Sequence, residues 1–210
     1  GRAMHEFVEQ LAKDERLRSL SFQNVKVVPF LGTPGAIQSD SWNTTTYSNT
    51  LATKVGNLLH CASYNLSAPM YVEGTKEKEL IESIDEIAKV LHMAETADIA
   101  LIGIGSMQDD SSIIKAEIRT KEEYKELVRK GAVGEIVGRI YDKNGQTVDE
   151  DLKRKMVGIS LDKIAKIPVR VGMSYGKDKI EAIKGAIAGG LVNVLVTCLL
   201  YTSDAADDGE

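Results

Sequence analysis

An alternation of short β-branched runs with stretches of helical periodicity constrains this chain more than any other feature. Residues 25–30 (VKVVPF), 99–102 (IALI, ahead of Gly103-Ile104-Gly105), 169–173 and 192–197 read as strands. Among them Phe7, Val8, Leu11 and Ala12 mark one helix face, and residues 47–59, 80–93, 121–130, 161–165 and 177–188 carry the helical period. Short strands are also expected up to Leu66 and over 156–159. Residues 135–141 alternate as a strand that turns at Asp142-Lys143-Asn144-Gly145, because Asn-Gly accepts the positive φ angles of a tight hairpin. Strands that alternate with helices make βαβ units. The predicted fold is therefore α/β: a largely parallel sheet with helices on both faces and one antiparallel hairpin in the middle. The last strand, 192–197, is expected to need a covering helix, since parallel strands are buried on both faces.

At 210 residues and 43% hydrophobic, the chain can bury one substantial core. A net charge of -5 argues against a free-standing nucleic-acid surface, which needs clustered Lys and Arg in excess of local acids. No apolar run approaches the roughly 18 to 20 residues of a membrane span, so no membrane partner is expected. Cys61 and Cys198 allow one disulfide at most, which favours the reducing cytoplasm.

Ligands of open parallel sheets bind beyond the carboxyl ends of the strands, and four loops there are rich in glycine and small polar residues. Gly32-Thr33-Pro34-Gly35 leads into a polar stretch that ends at Tyr47 and Asn49. These residues offer close backbone approach and hydroxyl and amide groups suited to a sugar, with Trp42 as a stacking surface, or else form an ordinary turn and helix cap. The second loop, Gly103-Ile104-Gly105-Ser106-Met107-Gln108, departs from a dinucleotide fingerprint at Gln108 and is expected to form one wall of a pocket without a nicotinamide cofactor. The third places Glu135 after Gly131 and Gly134, where it would accept from sugar hydroxyls or simply end a surface strand. The fourth, Gly172 to Lys179, joins a strand to a helix. There a lysine in the first turn opposes the helix dipole unless an anion joins it, and Lys179 with backbone N–H groups would grip a phosphate or carboxylate; a solvated lysine face is the alternative.

His5, His60 and His92 fall at no metal-ligand spacing, and there is no G-x-S-x-G. No catalytic residue, metal site or cofactor is assigned.

The ordered stretches VKVVPFLG, Asn49-Thr-Leu-Ala, Leu66-Ser-Ala-Pro69, ADIALIGIGS, GAVGEIVGRIYDKNG, VGISLDKIAKIPVRVG and GKDKIEAIKGAIAGGLVNVLVT resemble the effector-binding domain of SorC-type, DeoR-like sugar-responsive transcriptional regulators. The resemblance implies a Rossmann-like fold shared with glucosamine-phosphate deaminase, ribose-phosphate isomerase and coenzyme A transferases. It also implies an effector-binding, non-enzymatic domain that senses a sugar or sugar phosphate. The signal would pass to operator DNA through an N-terminal helix-turn-helix outside this sequence, in a cytoplasmic homo-oligomer. By the same resemblance Gly1, Arg2 and Ala3 end the turn that holds the effector's phosphate, with Arg2 and Ala3 where phosphate-binding relatives have threonines. Glu135 and Lys179 match contacts to the effector's hydroxyls and phosphate, Gly32, Thr33, Tyr47 and Asn49 match the first pocket loop, and Gly105 matches the GIG turn. A sugar-phosphate isomerase or aminosugar-phosphate deaminase of the same fold is the alternative. Against it stands the lack of an acid and base pair with a nearby histidine in the pocket loops.

The domain is expected to span residues 1–197 as a partial copy of the family's domain. Cys198-Leu-Leu-Tyr-Thr-Ser203 matches the translation of tgt-ctc-tta-tac-aca-tct, the end of a transposase sequencing adapter, so residues 198–210 are expected to be a non-native tail.

Overall fold

The computed structural model describes residues 2–34, 45, 47–109 and 111–197; Gly1, Gly35, Trp42 and the expected tail from Cys198 lie outside them. The chain forms two compact units, one from Gly1–Ala97 with Glu150–Ser160, the other from Asp98–Asp149 with Leu161–Glu210.

In the first unit, helix α1 (Arg2–Leu11) buries Val8 against Leu51 and Val55 of α2 (Ser48–Leu58), with Phe7, Met4 and Leu58 packed around them. The residues α2 buries, Leu51, Ala52, Val55 and Gly56, recur at the spacing of one helix face. Strands β1 (Lys26–Val27) and β2 (Ala62–Ser63) pair in parallel. A second core gathers Leu66, Ala68, Val72 and Val157 with Ile87 and Val90 of helix α4 (Asp85–Glu95). The expected helix over 80–93 is two helices, α3 (Thr75–Ser83) and α4, because Ile84 takes an extended conformation (ψ 122°) and breaks the hydrogen-bond ladder between them. Residues 156–159 form no continuous strand after helix α7 (Glu150–Lys155). They make single bridges, Met156 to Tyr71 and Gly158 to Leu31, which close this unit from a distant part of the chain.

The second unit holds a parallel sheet and an antiparallel one. Strand β3 (Ile99–Gly103) pairs with β7 (Val169–Met173), and β7 with β8 (Val194–Val196), in the order β3-β7-β8. Ala100 and Ile102 of β3 are buried on one face of this sheet. On the other face the register aligns Ile99 with Val169, and Leu101 with Val171 and Val194, and these residues are open, with Ile99 57% and Val194 44% exposed, while the exposed Val196 stands beside the buried Met173.

Strands β4 (Gly105–Ser106), β5 (Ala132–Ile136) and β6 (Arg139–Asp142) form the antiparallel sheet. The expected single strand over 135–141 is thus a hairpin whose two-residue turn is Val137-Gly138, both at positive φ (50° and 67°). The expected Asn144-Gly145 turn also forms, with Gly145 at φ 74° and its N–H on Asp142 O. After the single-turn helix α5 (Ser112–Lys115), helix α6 (Lys121–Arg129) opens on a capping box: Thr120 Oγ1 accepts from Glu123 N, and Glu123 Oε2 accepts from Thr120 N. Ahead of it, Arg119 donates to both carboxylate oxygens of Asp149, at 2.9 and 3.1 Å, with both side chains almost fully buried. The expected helix over 161–165 is the short α8 (Leu161–Ile164), and helix α9 (Ile180–Ala188) follows a 3₁₀ turn over Lys177–Lys179, so the expected helix 177–188 begins in tighter geometry than an α-helix.

Candidate functional site

Gly105, Glu135 and Lys179 belong to the second unit. Gly105 stands directly opposite Glu135 in the β4–β5 ladder. A Cβ on Gly105 would lie 2.6 Å from Glu135 Cγ, so only glycine lets the glutamate side chain cross this position. The carboxylate is then fixed from its other side. Its Oε2 accepts from Ser111 Oγ at 2.6 Å and from Tyr124 Oη at 3.2 Å, Tyr124 being delivered by α6. Ser111 Oγ itself accepts from Ile113 N, which fixes the direction of its proton toward Glu135.

The next residue of β4, Ser106, pairs with Gly134 and so projects to the opposite face of the ribbon. That face packs on α9: a Cβ on Gly134 would meet Tyr141 Oη at 2.5 Å and Ala182 Cβ at 2.7 Å, and Tyr141 Oη donates to Ala182 O at 2.8 Å. Burial, and after it the charge of Glu135, holds the Tyr141 phenol above its ordinary pKa.

Lys179 reaches Ser106 from the turn after β7. Ser174 anchors the start of that turn, its hydroxyl donating to Ile104 O and its N–H to Val196 O. Gly176 then takes φ 108°, a conformation that strains any residue with a Cβ. Lys179 Nζ donates to Ser106 Oγ at 2.7 Å and lies 3.2 Å from Asp178 Oδ2, while Ser106 Oγ donates to the same Oδ2 at 2.8 Å. The Ser106 hydroxyl, and then the Lys179 ammonium, hold the Asp178 carboxyl below the usual carboxylate range. The Lys179 backbone N–H donates to Gly176 O.

The other sequence candidates among the described residues lie in the first unit, and three of them, Gly32, Thr33 and Asn49, meet the segment 66–70. Thr33 N donates to Ala68 O and Thr33 O accepts from Met70 N, while a Cβ on Gly32 would come within 2.5 Å of Pro69 O. Asn49 fastens to the same segment, its Nδ2 donating to Leu66 O at 3.1 Å and its Oδ1 accepting from Leu66 N at 2.9 Å. Tyr47 is the N-cap residue of α2 without a side-chain cap bond, and Arg2 and Ala3 open α1. Asn49 also lines an open cleft with Thr50, Thr53, Lys54, Asn65 and Ser67, all polar.

Ser111 and Tyr124 were not singled out by sequence reasoning, whereas Ser106 lay within the second loop and Asp178 within the fourth, where it offsets some of the lysine charge. Neither Ser106 nor Asp178 was assigned a contact, although each adjoins a chosen residue. Ser111 and Tyr124 carry no such signal, since each meets Glu135 only through the fold.

The family model described as "Putative sugar-binding domain" matches residues 1–198. The transcriptional regulator LsrR of Escherichia coli O9:H4 (strain HS) is 34% identical over 149 residues, 69% of this chain and 47% of that protein. LsrR of Enterobacter sp. (strain 638) is 33% identical over 140 residues, 65% of this chain and 43% of that protein. The chain thus spans less than half the length of these curated relatives. Among solved structures, the full-length sorbitol operon regulator SorC from Klebsiella pneumoniae superposes with a TM-score of 0.83 at 26% identity, covering 98% of this chain and 64% of that one. With the α/β architecture of parallel strands and helices described above, these matches place the chain in the sugar-binding domain family of SorC/DeoR-type transcriptional regulators.

Proposed function

We propose that this chain is the effector-sensing domain of a bacterial transcriptional regulator and that its effector is a sugar or sugar phosphate. The observation that carries the reading is a pair of polar anchors, one on each face of the β4–β5 ribbon. Gly105 stands against a pre-oriented Glu135 carboxylate, and Ser106 against the sheltered Lys179 ammonium. A carboxylate held by two hydroxyls is an acceptor for sugar hydroxyls, and a lysine ammonium is a donor for an anionic group. Neither role requires catalysis. In the longer protein the effector acts by binding one arrangement of a cytoplasmic homo-oligomer better than another, with typical coupling of about 1–3 kcal/mol to operator DNA held by a helix-turn-helix outside this chain. Among the described residues no helix is long and apolar enough to cross a membrane.

A thermal-shift panel of ribose 5-phosphate, fructose 6-phosphate, glucose 6-phosphate and their unphosphorylated parents tests the reading. At least one member should raise Tm in the 210-residue chain, with the phosphorylated form the stronger, and Lys179→Ala should remove that advantage. Equal stabilisation of the variant would take Lys179 out of the site.

A further inference from the structure

Lys179 already has an anion. Its ammonium, the Ser106 hydroxyl and Asp178 Oδ2 form a closed triangle of contacts at 2.7, 2.8 and 3.2 Å, joining segments more than seventy residues apart in sequence (separations of 72 and 73). The two charges are unequally placed: the lysine side chain is 15% exposed and the aspartate 47%, so the carboxylate is the member that water reaches. Gly176 makes this arrangement possible. A Cβ there would lie 2.7 Å from Asp178 Oδ1, and the residue's positive φ turns the chain so that the carboxylate folds back over it.

We infer that Asp178 is a resident counter-anion, occupying on Lys179 the position that a ligand's anionic group must take and thereby deciding which anions succeed. The inference rests on the reading of Lys179 as the effector's anion contact. A carboxylate ligand that displaces Asp178 exchanges one singly charged group for another and leaves Asp178 without its partners. A phosphate monoester carries about 1.5 to 2 negative charges at neutral pH and three strong acceptor oxygens. It holds the ammonium and the Ser106 hydroxyl at once, while the half-exposed Asp178 turns into water. Competition with its own side chain thus sets a threshold that a phosphate monoester passes and a carboxylate does not, and removing the competitor lowers that threshold for both.

The test is to titrate the Tm of the 210-residue chain with inorganic phosphate and, separately, with acetate at constant ionic strength, in the wild type, Asp178→Asn and Lys179→Ala. Phosphate should stabilise the wild type and acetate should not. In Asp178→Asn the half-saturating phosphate concentration should fall roughly tenfold, the effect of removing one like charge near the anion, and acetate should begin to stabilise. Lys179→Ala should respond to neither. Asp178→Ala gives the same direction and replaces the Asn variant if that one does not fold. Phosphate binding that is unchanged or weakened in both Asp178 variants would overturn the inference, making Asp178 a group that only orients the lysine. A wild type and Asp178 variants that all ignore phosphate would remove the anion reading of Lys179 itself, and the inference with it.

Discussion

Tyr141 shows how much one buried polar atom contributes to the candidate site's frame. Its hydroxyl donates to Ala182 O and fills the space that a Cβ on Gly134 would take, so one atom ties the hairpin to α9 beneath Ser106. Tyr141→Phe keeps the ring and loses the bond, and should cost about 1 kcal/mol in urea unfolding at neutral pH. The pH dependence has a definite sign. Because the folded phenol's pKa is raised, its contribution is complete below the unfolded value of about 10 and is lost as pH rises past it, since the unfolded chain ionises first. The difference between Tyr141→Phe and wild type should therefore shrink between pH 9 and pH 11. A difference that is constant with pH would mean that the phenol is not buried in the folded protein.

At the scale of elements, the β5–β6 turn places a β-branched residue where the backbone favours glycine or asparagine. Val137 at φ 50° precedes Gly138 at φ 67°, the type I′ pattern for which Asn-Gly is the preferred pair. Val137→Asn should raise the urea midpoint by an amount corresponding to about 1 kcal/mol, without a change in the denaturant slope. A lowered midpoint would show that the half-buried valine contributes more by packing than it costs in strain. This turn also explains what the sequence concealed. Asn144-Gly145 announces itself by composition, whereas Val137-Gly138 sits inside an alternating run and is imposed by the pairing of Glu135 with Ile140 on one side and Gly105 on the other. Ile84 is similar, because the apolar period continues through it and only the backbone conformation shows the break. The α/β alternation, the β3 and β7 strands and α6 were legible because their burial is local and periodic. The candidate site was legible only as loops and single residues. Its hydrogen bonds were not, since Ser106 meets Asp178 across 72 residues and Ser111 meets Glu135 across 24.

For the molecule as a whole, the open face of the β3-β7-β8 sheet is the feature with the plainest solution consequence. Contiguous exposed apolar side chains on a sheet bind hydrophobic probes and other chains. The folded 210-residue chain should enhance the fluorescence of anilinonaphthalene sulfonate while its near-ultraviolet circular dichroism stays intact, and Val194→Thr with Val196→Thr should reduce that signal. Unaltered dye binding in the double variant would locate the apolar surface elsewhere. The division of the chain has a different consequence, one of timing. The first unit ends at Ala97 and resumes at Glu150, and the second is interrupted in turn from Glu150 to Ser160. During synthesis, the bridges from Tyr71 and Leu31 wait for Met156 and Gly158, and β3 waits for β7, whose first residue lies 70 positions beyond its own. Neither unit completes before the other is largely made, so folding is expected to be slow, late and shared, with β3's apolar edge unpaired on the ribosome for most of that interval.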